Sequence, residues 1–451
     1  MKKITKKLIC VLMASLFVVS CFAMSSCKNG KKDEDKNKNE ENTAQDNRYK
    51  DYTLPVLEVS TENGKIISKV VSQKCSVNAK NTEEDKAFDG AKAKMKGFGD
   101  AVWRMTKKTY LLSFDKEVNL LGVGSGKASD WVLAANHADF TMLRNYLAYN
   151  AAKTVLTNIP YVTGSAFVQL YINGEYEGVY QVLERVEFDE NRLNYTFEEG
   201  VSDTNYLVLL DFEADIQIDS VEGTNCFAIS SQKFYIANDG VNAQQCSYVN
   251  SYYSEMITAV NGGNQAQVEK YLDIDSVIDT YILHEYFKNT DVGRSGFYMV
   301  KEKGGKIVFT APWDFYRSAD NDDSLAEIGT SNLCAGNGVT KHDGSNPIMY
   351  RLMRRTWFIK KVVERWNEVK DELAKTTSVL DSIYEAHGKD FEANFEKWDV
   401  IGNKTDKQPV AIIKLKTYKA NVEYLKKWLE GRHSWVDRYF NSNGVYSQAK
   451  S

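Results

Sequence analysis

Two aspartates, Asp291 and Asp314, stand 23 residues apart (314 − 291) on either side of a stretch that doubles back on itself. Phe297 to Lys301 and Ile307 to Pro312 read as a hairpin closed at Lys303-Gly304-Gly305-Lys306. Such a hairpin returns the chain so that both carboxylates can face one site. Two carboxylates in one site suit a reaction in which one takes a proton from an attacking hydroxyl while the other holds a divalent cation against phosphate charge. Aspartates flanking a hairpin also serve as ordinary capping and turn residues, so the pair alone leaves both readings open.

The elements that must position this pair are legible in outline. Asp275 is the expected N-cap of a helix with Ile278, Tyr281, Ile282 and Tyr286 as its apolar stripe, running into the loop Asn289-Thr290-Asp291. Upstream, Tyr52 to Ser76 alternates apolar and polar residues and reads as an edge hairpin turning at Asn63-Gly64. Lys96-Gly97-Phe98-Gly99-Asp100 is a glycine-bearing loop, followed by Trp103 and a strand over 109–114. Asp139 is the expected N-cap of a helix to about Val155. Phe167 to Val186 reads as a hairpin turning at Asn173-Gly174, and 205–212 as a buried strand. Beyond Pro347 the pattern is helical to about Phe440, with Trp357, Phe358, Val362, Val363 and Trp366 on one stripe. Strands first and helices last predict an α+β class.

Composition bounds the rest. The 451 residues are 43% hydrophobic and 12% aromatic, enough for one elaborated domain, expected over 52–445. A net charge of -4 offers no basic face for nucleic acid, so none is expected as a partner. The N-terminus carries Lys2, Lys3, Lys6 and Lys7, then a mostly apolar run from Leu8 to Ala23, the layout of a signal peptide over 1–27. Two cysteines fit a lipidation box, Cys21 and Cys27; Cys27 is preferred because it directly precedes a polar tether. That tether, residues 28–51, holds seven basic and seven acidic residues and almost nothing to bury, so disorder is expected. A lipid anchor on the extracytoplasmic face of the cell membrane follows as the expected location. Cys75, Cys226, Cys246 and Cys334 are widely spaced without a C-x-x-C pair, which excludes a zinc ribbon and allows at most two disulfides. The five histidines show no ligand spacing, and the acidic run Asp320, Asp322, Asp323 reads as a solvated loop.

A loop aspartate, a short hairpin and an aspartate before phenylalanine is the order found in kinases. The chain resembles the spore-coat-protein-H (CotH) kinase family over about residues 55–440. The residues carrying this are the Lys96–Trp103 loop with Lys107-Lys108-Thr109-Tyr110, then Ser129 to Leu133 with Met142-Leu143-Arg144-Asn145. Leu170 to Tyr180 with Glu184 follows, then Asn289-x-Asp291, Pro312-Trp313-Asp314-Phe315 and Glu364-Arg365-Trp366. The resemblance implies an atypical protein-kinase-like domain that uses ATP with Mg2+ or Mn2+ and phosphorylates surface or secreted proteins. It implies Asp291 as catalytic base and Asp314 as metal ligand. Gly97, Gly99, Arg144, Glu184 and either Lys107 or Lys108 would line the nucleotide. The chain departs from the family pattern where Phe98 replaces an arginine and Asp100 an asparagine. It departs again at Gly296, where a metal-binding asparagine is usual, and at Tyr316, where a second aspartate is common.

Overall fold

Period-two alternation folds the first third of the domain into strands. In the computed structural model, residues 49–211, 221–230, 232–289, 291–293, 295–324, 329–335, 347–447 and 449 are described. The expected signal peptide, Cys27 and nearly all of the tether lie outside these residues. The chain divides into units Met1–Lys50 and Asp51–Ser451, and every described helix and strand lies in the second.

Seven strands close into a barrel: β1 (Val56–Thr61), β2 (Gln73–Lys80), β3 (Phe88–Gly97), β4 (Tyr110–Val118), β5 (Ala128–Ala134), β6 (Ser165–Ile172) and β7 (Glu175–Glu184). They run in the order β1-β2-β3-β4-β5-β7-β6, and β1 pairs in parallel with β6, Val56 opposite Gln169, to shut the ring. Leu57, Val59, Val77, Met95, Leu112, Trp131, Leu133, Val168, Leu170 and Val182 alternate along their strands into one apolar core. Residues of opposite parity, Leu111, Val132, Phe167, Val179 and Leu183, join a second core made chiefly by helices. Part of the barrel wall is thus buried on both faces, and truncating the enclosed Trp131 to alanine would cost ~3–5 kcal/mol. The β6–β7 hairpin turns at Asn173-Gly174 as expected, with both residues at positive φ (52° and 83°), the signature of a type I′ turn.

A short helix α1 (Ala101–Arg104) follows β3, and α2 (Arg144–Thr154) lies between β5 and β6. A five-stranded sheet is formed by β8 (Tyr206–Leu210), β9 (Cys226–Ile229), β10 (Gln232–Ile236), β11 (Phe297–Lys301) and β12 (Ile307–Thr310), in the order β12-β11-β8-β10-β9. Between β10 and β11 come α3 (Ala243–Gly262), α4 (Gln265–Tyr271) and α5 (Ile274–Tyr286). The C-terminal part is helical: α6 (Pro347–Leu352), α7 (Thr356–Leu373), α8 (Thr376–Lys397), α9 (Val410–Ile413) and α10 (Tyr418–Phe440). Phe358, Val362 and Trp366 of α7 are fully buried, as their helical spacing predicts. The strand-rich N-terminal part and helical C-terminal part bear out the α+β class.

Three local expectations need correction. Val56–Thr61 is no edge: the barrel closes on it, and Asn63-Gly64 opens a longer connection before β2 rather than a two-residue turn. The helix expected from Asp139 starts at Arg144; the Asp139 carboxylate instead accepts the N–H of Thr141 (2.9 Å) and of Arg144 (2.9 Å), bracing the turns before the helix. The cap of α5 is Asp273, whose carboxylate accepts the Ser276 N–H at 2.9 Å, not Asp275. The end of the predicted 205–212 strand at Phe212 lies outside the described residues. Cys75, Cys226, Cys246 and Cys334 are all buried.

Candidate active site

The β11–β12 hairpin sets Asp291 and Asp314 at its two ends, and the two carboxylates act on each other electrostatically. One side chain ties their loops together. Asn289 Oδ1 accepts the N–H of Asp291 at 3.0 Å, and Asn289 Nδ2 donates to the Asp314 carbonyl at 3.2 Å. A buried amide bonded to both backbones fixes the spacing of the two aspartates more firmly than the hairpin alone.

The backbone around Asp314 is unusual. Ala311, Asp314, Ala319 and Asp320 all have positive φ (43°, 65°, 47° and 66°), each unfavourable by ~1 kcal/mol or more for a residue with a Cβ. Helix α2 holds this segment from behind. Asn145 Oδ1 accepts the Phe315 N–H at 2.6 Å, and Asp314 N–H points to the Tyr149 hydroxyl at 3.3 Å. Arg144 donates from Nε to the Ser318 carbonyl (2.9 Å) and from Nη2 to the Ala319 carbonyl (3.1 Å), while Nη1 pairs with Asp139 at 2.5 Å. Phe315 is buried against His284 (4.8 Å between rings), Phe287 (6.1 Å) and Tyr149 (6.3 Å). The anchored phenylalanine and the left-handed turn together set the direction of the Asp314 carboxylate. Burial holds the His284 imidazole down at about 3, so it packs between Phe297 and Phe315 as a neutral ring.

The electrostatics show what the site lacks. Burial, and then repulsion from Asp291, push the Asp314 carboxyl from 3.8 up to about 7; Asp211 and Asp406 add to this and Arg317 opposes it. Two crowded carboxylates with hard oxygen donors fit a divalent cation such as Mg2+ or Mn2+, which takes one or two protein carboxylates and fills its other positions with water and phosphate oxygens. Among the described residues, no group of three or more His, Cys, Asp or Glu side chains is arranged as a complete metal cage. Gly296, at the expected asparagine position, has φ +73°, and a Cβ there would sit 2.9 Å from the Trp313 carbonyl oxygen. The hairpin approaches the Asp314 loop so closely that glycine is required on backbone grounds. Tyr316 is buried, and burial raises its hydroxyl well above the usual phenol range.

Other residues expected at the nucleotide are engaged within the fold. Lys107 is fully buried and donates to the Ala135 carbonyl (3.0 Å), to Asn394 Oδ1 (2.8 Å) and to the Val179 carbonyl, with its ammonium 4.3 Å from the Tyr180 ring centre. It ties the barrel to α8. Lys108 keeps partial exposure and donates to the Trp103 carbonyl at 2.8 Å. At Gly97 the Trp103 ring occupies the space of a Cβ, so this glycine admits the indole; Gly99 has φ +71°. Asp100 is paired with Lys69 at 3.0 Å and with Arg104. Glu184 is buried, accepting from Gly164 N–H (2.8 Å) and the Tyr161 hydroxyl (3.1 Å), with Gly124 pressed against its carboxylate. Arg144 braces the Asp314 segment through carbonyls. Within the acidic run only Asp323 is solvated. Asp320 and Asp322 are buried, Asp320 accepting from Gly329 N–H (2.6 Å) and the Tyr424 hydroxyl (2.5 Å).

Sequence reasoning assigned no role to Tyr149, Arg317 or Asp406. Arg317 is bound bidentately by Asp406, at 2.8 and 3.1 Å. Arg144, Asn145 and Tyr149 lie on a helix with almost no exposed face, and each bonds to the segment around Asp314.

The sequence model of one family, described as CotH kinase protein, matches residues 95–436, which is 342 (436 − 95 + 1) of the 451 residues. No curated protein matches the chain. The match begins within β3 and ends within α10, covering both aspartates and every residue that braces them. The chain belongs to the CotH kinase protein family.

Proposed function

We propose that this protein is an extracytoplasmic, ATP-dependent protein kinase that phosphorylates hydroxyl side chains of surface or secreted proteins. The observation that carries the reading is the convergence of Asp291 and Asp314 across one hairpin, with Asn289 bonded to both loops. In the reaction, a substrate hydroxyl oxygen forms a bond to the terminal phosphorus as the bond to the bridging oxygen breaks and ADP departs. Asp291 takes the hydroxyl proton. Asp314 would hold Mg2+ or Mn2+, which when bound supplies neutralisation of the phosphate charge. Asn289 and the α2 residues keep the two carboxylates in fixed relation, so that positioning, which dominates this chemistry, is built in before substrate arrives.

The basic start, short apolar run and Cys27 box support export and a diacylglyceryl anchor, with the charged tether holding the domain clear of the membrane. No helix among the described residues is long and apolar enough to cross a membrane.

A second reading is a kinase-like module that binds nucleotide or a partner without transfer. It is favoured by Gly296, which offers no ligand side chain where one is usual, and by Lys107, whose ammonium is enclosed by protein acceptors. Labelled ATP with Mn2+ or Mg2+ and the Asp291→Asn control separates the two: transfer lost in the variant supports the kinase, and binding without transfer supports the module.

A further inference from the structure

Three ion pairs fasten the segment after Asp314 to a strap formed by residues 404–408. Arg317 donates from Nε and Nη2 to Asp406, Lys404 pairs with Asp323, and Lys407 approaches Asp322 at 3.9 Å. The strap is itself pinned. Buried Gln408 accepts the N–H groups of Thr405 (3.0 Å) and Asp406 (2.9 Å) and donates to the Ala138 carbonyl at 2.6 Å.

The three pairs are not alike. Lys404 and Asp323 are 50% and 39% exposed, a surface pair of the kind that contributes little. Arg317 and Asp406 are only 16% and 18% exposed, and Arg317 acts electrostatically on both Asp291 and Asp314. Asp406 takes up Nε and Nη2; Nη1 makes no hydrogen bond among the described residues. A triphosphate entering beside two carboxylates needs positive charge, and Lys107 has its ammonium turned into the protein. A guanidinium held in one plane, with a nitrogen to spare and partial access to solvent, is suited to phosphate oxygens. Tyr316 also places an aromatic ring 5.2 Å from that guanidinium.

We propose that Arg317 binds the terminal phosphate of a nucleoside triphosphate at this site, and that Asp406 is the residue that positions it. The proposal rests on the kinase reading of the site and assigns within it the cation that the buried Lys107 does not supply.

The test is nucleotide binding to the full-length protein, by titration calorimetry with ATP and with ADP in Mn2+. Arg317→Gln should weaken ATP binding by about 10- to 100-fold, the range for a lost charged hydrogen bond, and ADP binding far less. Arg317→Lys should fall between. Asp406→Asn, which leaves the guanidinium but loosens it, should reduce the preference for ATP by a smaller factor. An ATP-to-ADP ratio unchanged in Arg317→Gln, or equal losses for both nucleotides, overturns the assignment alone while wild type still binds. If wild type binds neither nucleotide, the kinase reading falls and this inference with it. If Arg317→Gln fails to fold, the same ratio in Arg317→Lys decides.

Discussion

Asp314→Asn should make the metal-free protein more stable at pH 8, although it removes a residue the reaction depends on. Asparagine keeps the shape of the side chain and tolerates the left-handed backbone at φ 65°, so the substitution changes charge and little else. The carboxyl is raised from 3.8 to about 7 by burial and by Asp291. A folded-state value above the unfolded one means the fold favours the protonated form. Its contribution is therefore fully present below pH 4 and is lost as pH rises through 7. Moving from 3.8 to about 7 sets a ceiling of ~4 kcal/mol. The side chain is only partly buried by surface area, so ~1–3 kcal/mol is expected. The assay is urea unfolding of wild type and Asp314→Asn in chelator at pH 5 and pH 8. The variant should gain on wild type between the two, and subtracting the curves cancels groups that do not interact with Asp314, Glu187 at about 7 included. Adding Mn2+ at pH 8 should then stabilise wild type more than the variant. Two curves that stay parallel from pH 5 to pH 8 would refute both the burial of this carboxyl and its repulsion by Asp291.

Two further outcomes follow from the same geometry and a third from the N-terminal sequence. Gly296→Asn should lower stability by ~1–3 kcal/mol, because its Cβ must displace the Trp313 carbonyl 2.9 Å away; an unchanged melting temperature would mean the hairpin is looser than described. Lys107→Met should unfold at lower denaturant by ~2–4 kcal/mol while retaining nucleotide affinity, since Val179, Ala135 and Asn394 lose a buried donor; the opposite pattern would place Lys107 on phosphate. Cys27→Ala should abolish lipid labelling of the expressed protein, and labelling that persists until Cys21 is also changed would move the anchor to Cys21.

What could be read from sequence was local. The Asn173-Gly174 turn, the hairpin between Asp291 and Asp314 and the stripe on α7 all follow from period and turn chemistry within a few residues. Barrel closure was hidden because β1 and β6 meet across more than 100 residues, and nothing in the period of either strand encodes its partner. The family resemblance implies a phosphate contact for either Lys107 or Lys108. The enclosure of Lys107 depends on Asn394, 287 residues away. Arg317 and Asp406 are 89 residues apart, and Gln408 pins the strap that carries Asp406 to Ala138. Asp139 reads as an N-cap, but its carboxylate spans the turns before Arg144, and the cap position falls four residues later at Leu143.

The measurement closest to the central claim is transfer of labelled phosphate from ATP, with Mn2+ or Mg2+, to the protein itself and to co-purified surface proteins. Wild type and Asp291→Asn are run side by side, with nucleotide affinity measured for both. The account predicts label incorporation by wild type and its loss, by about 100-fold or more, in a variant that still binds nucleotide. Equal incorporation by the two proteins, or none by a wild type that binds ATP, would contradict the assignment of Asp291 as the base.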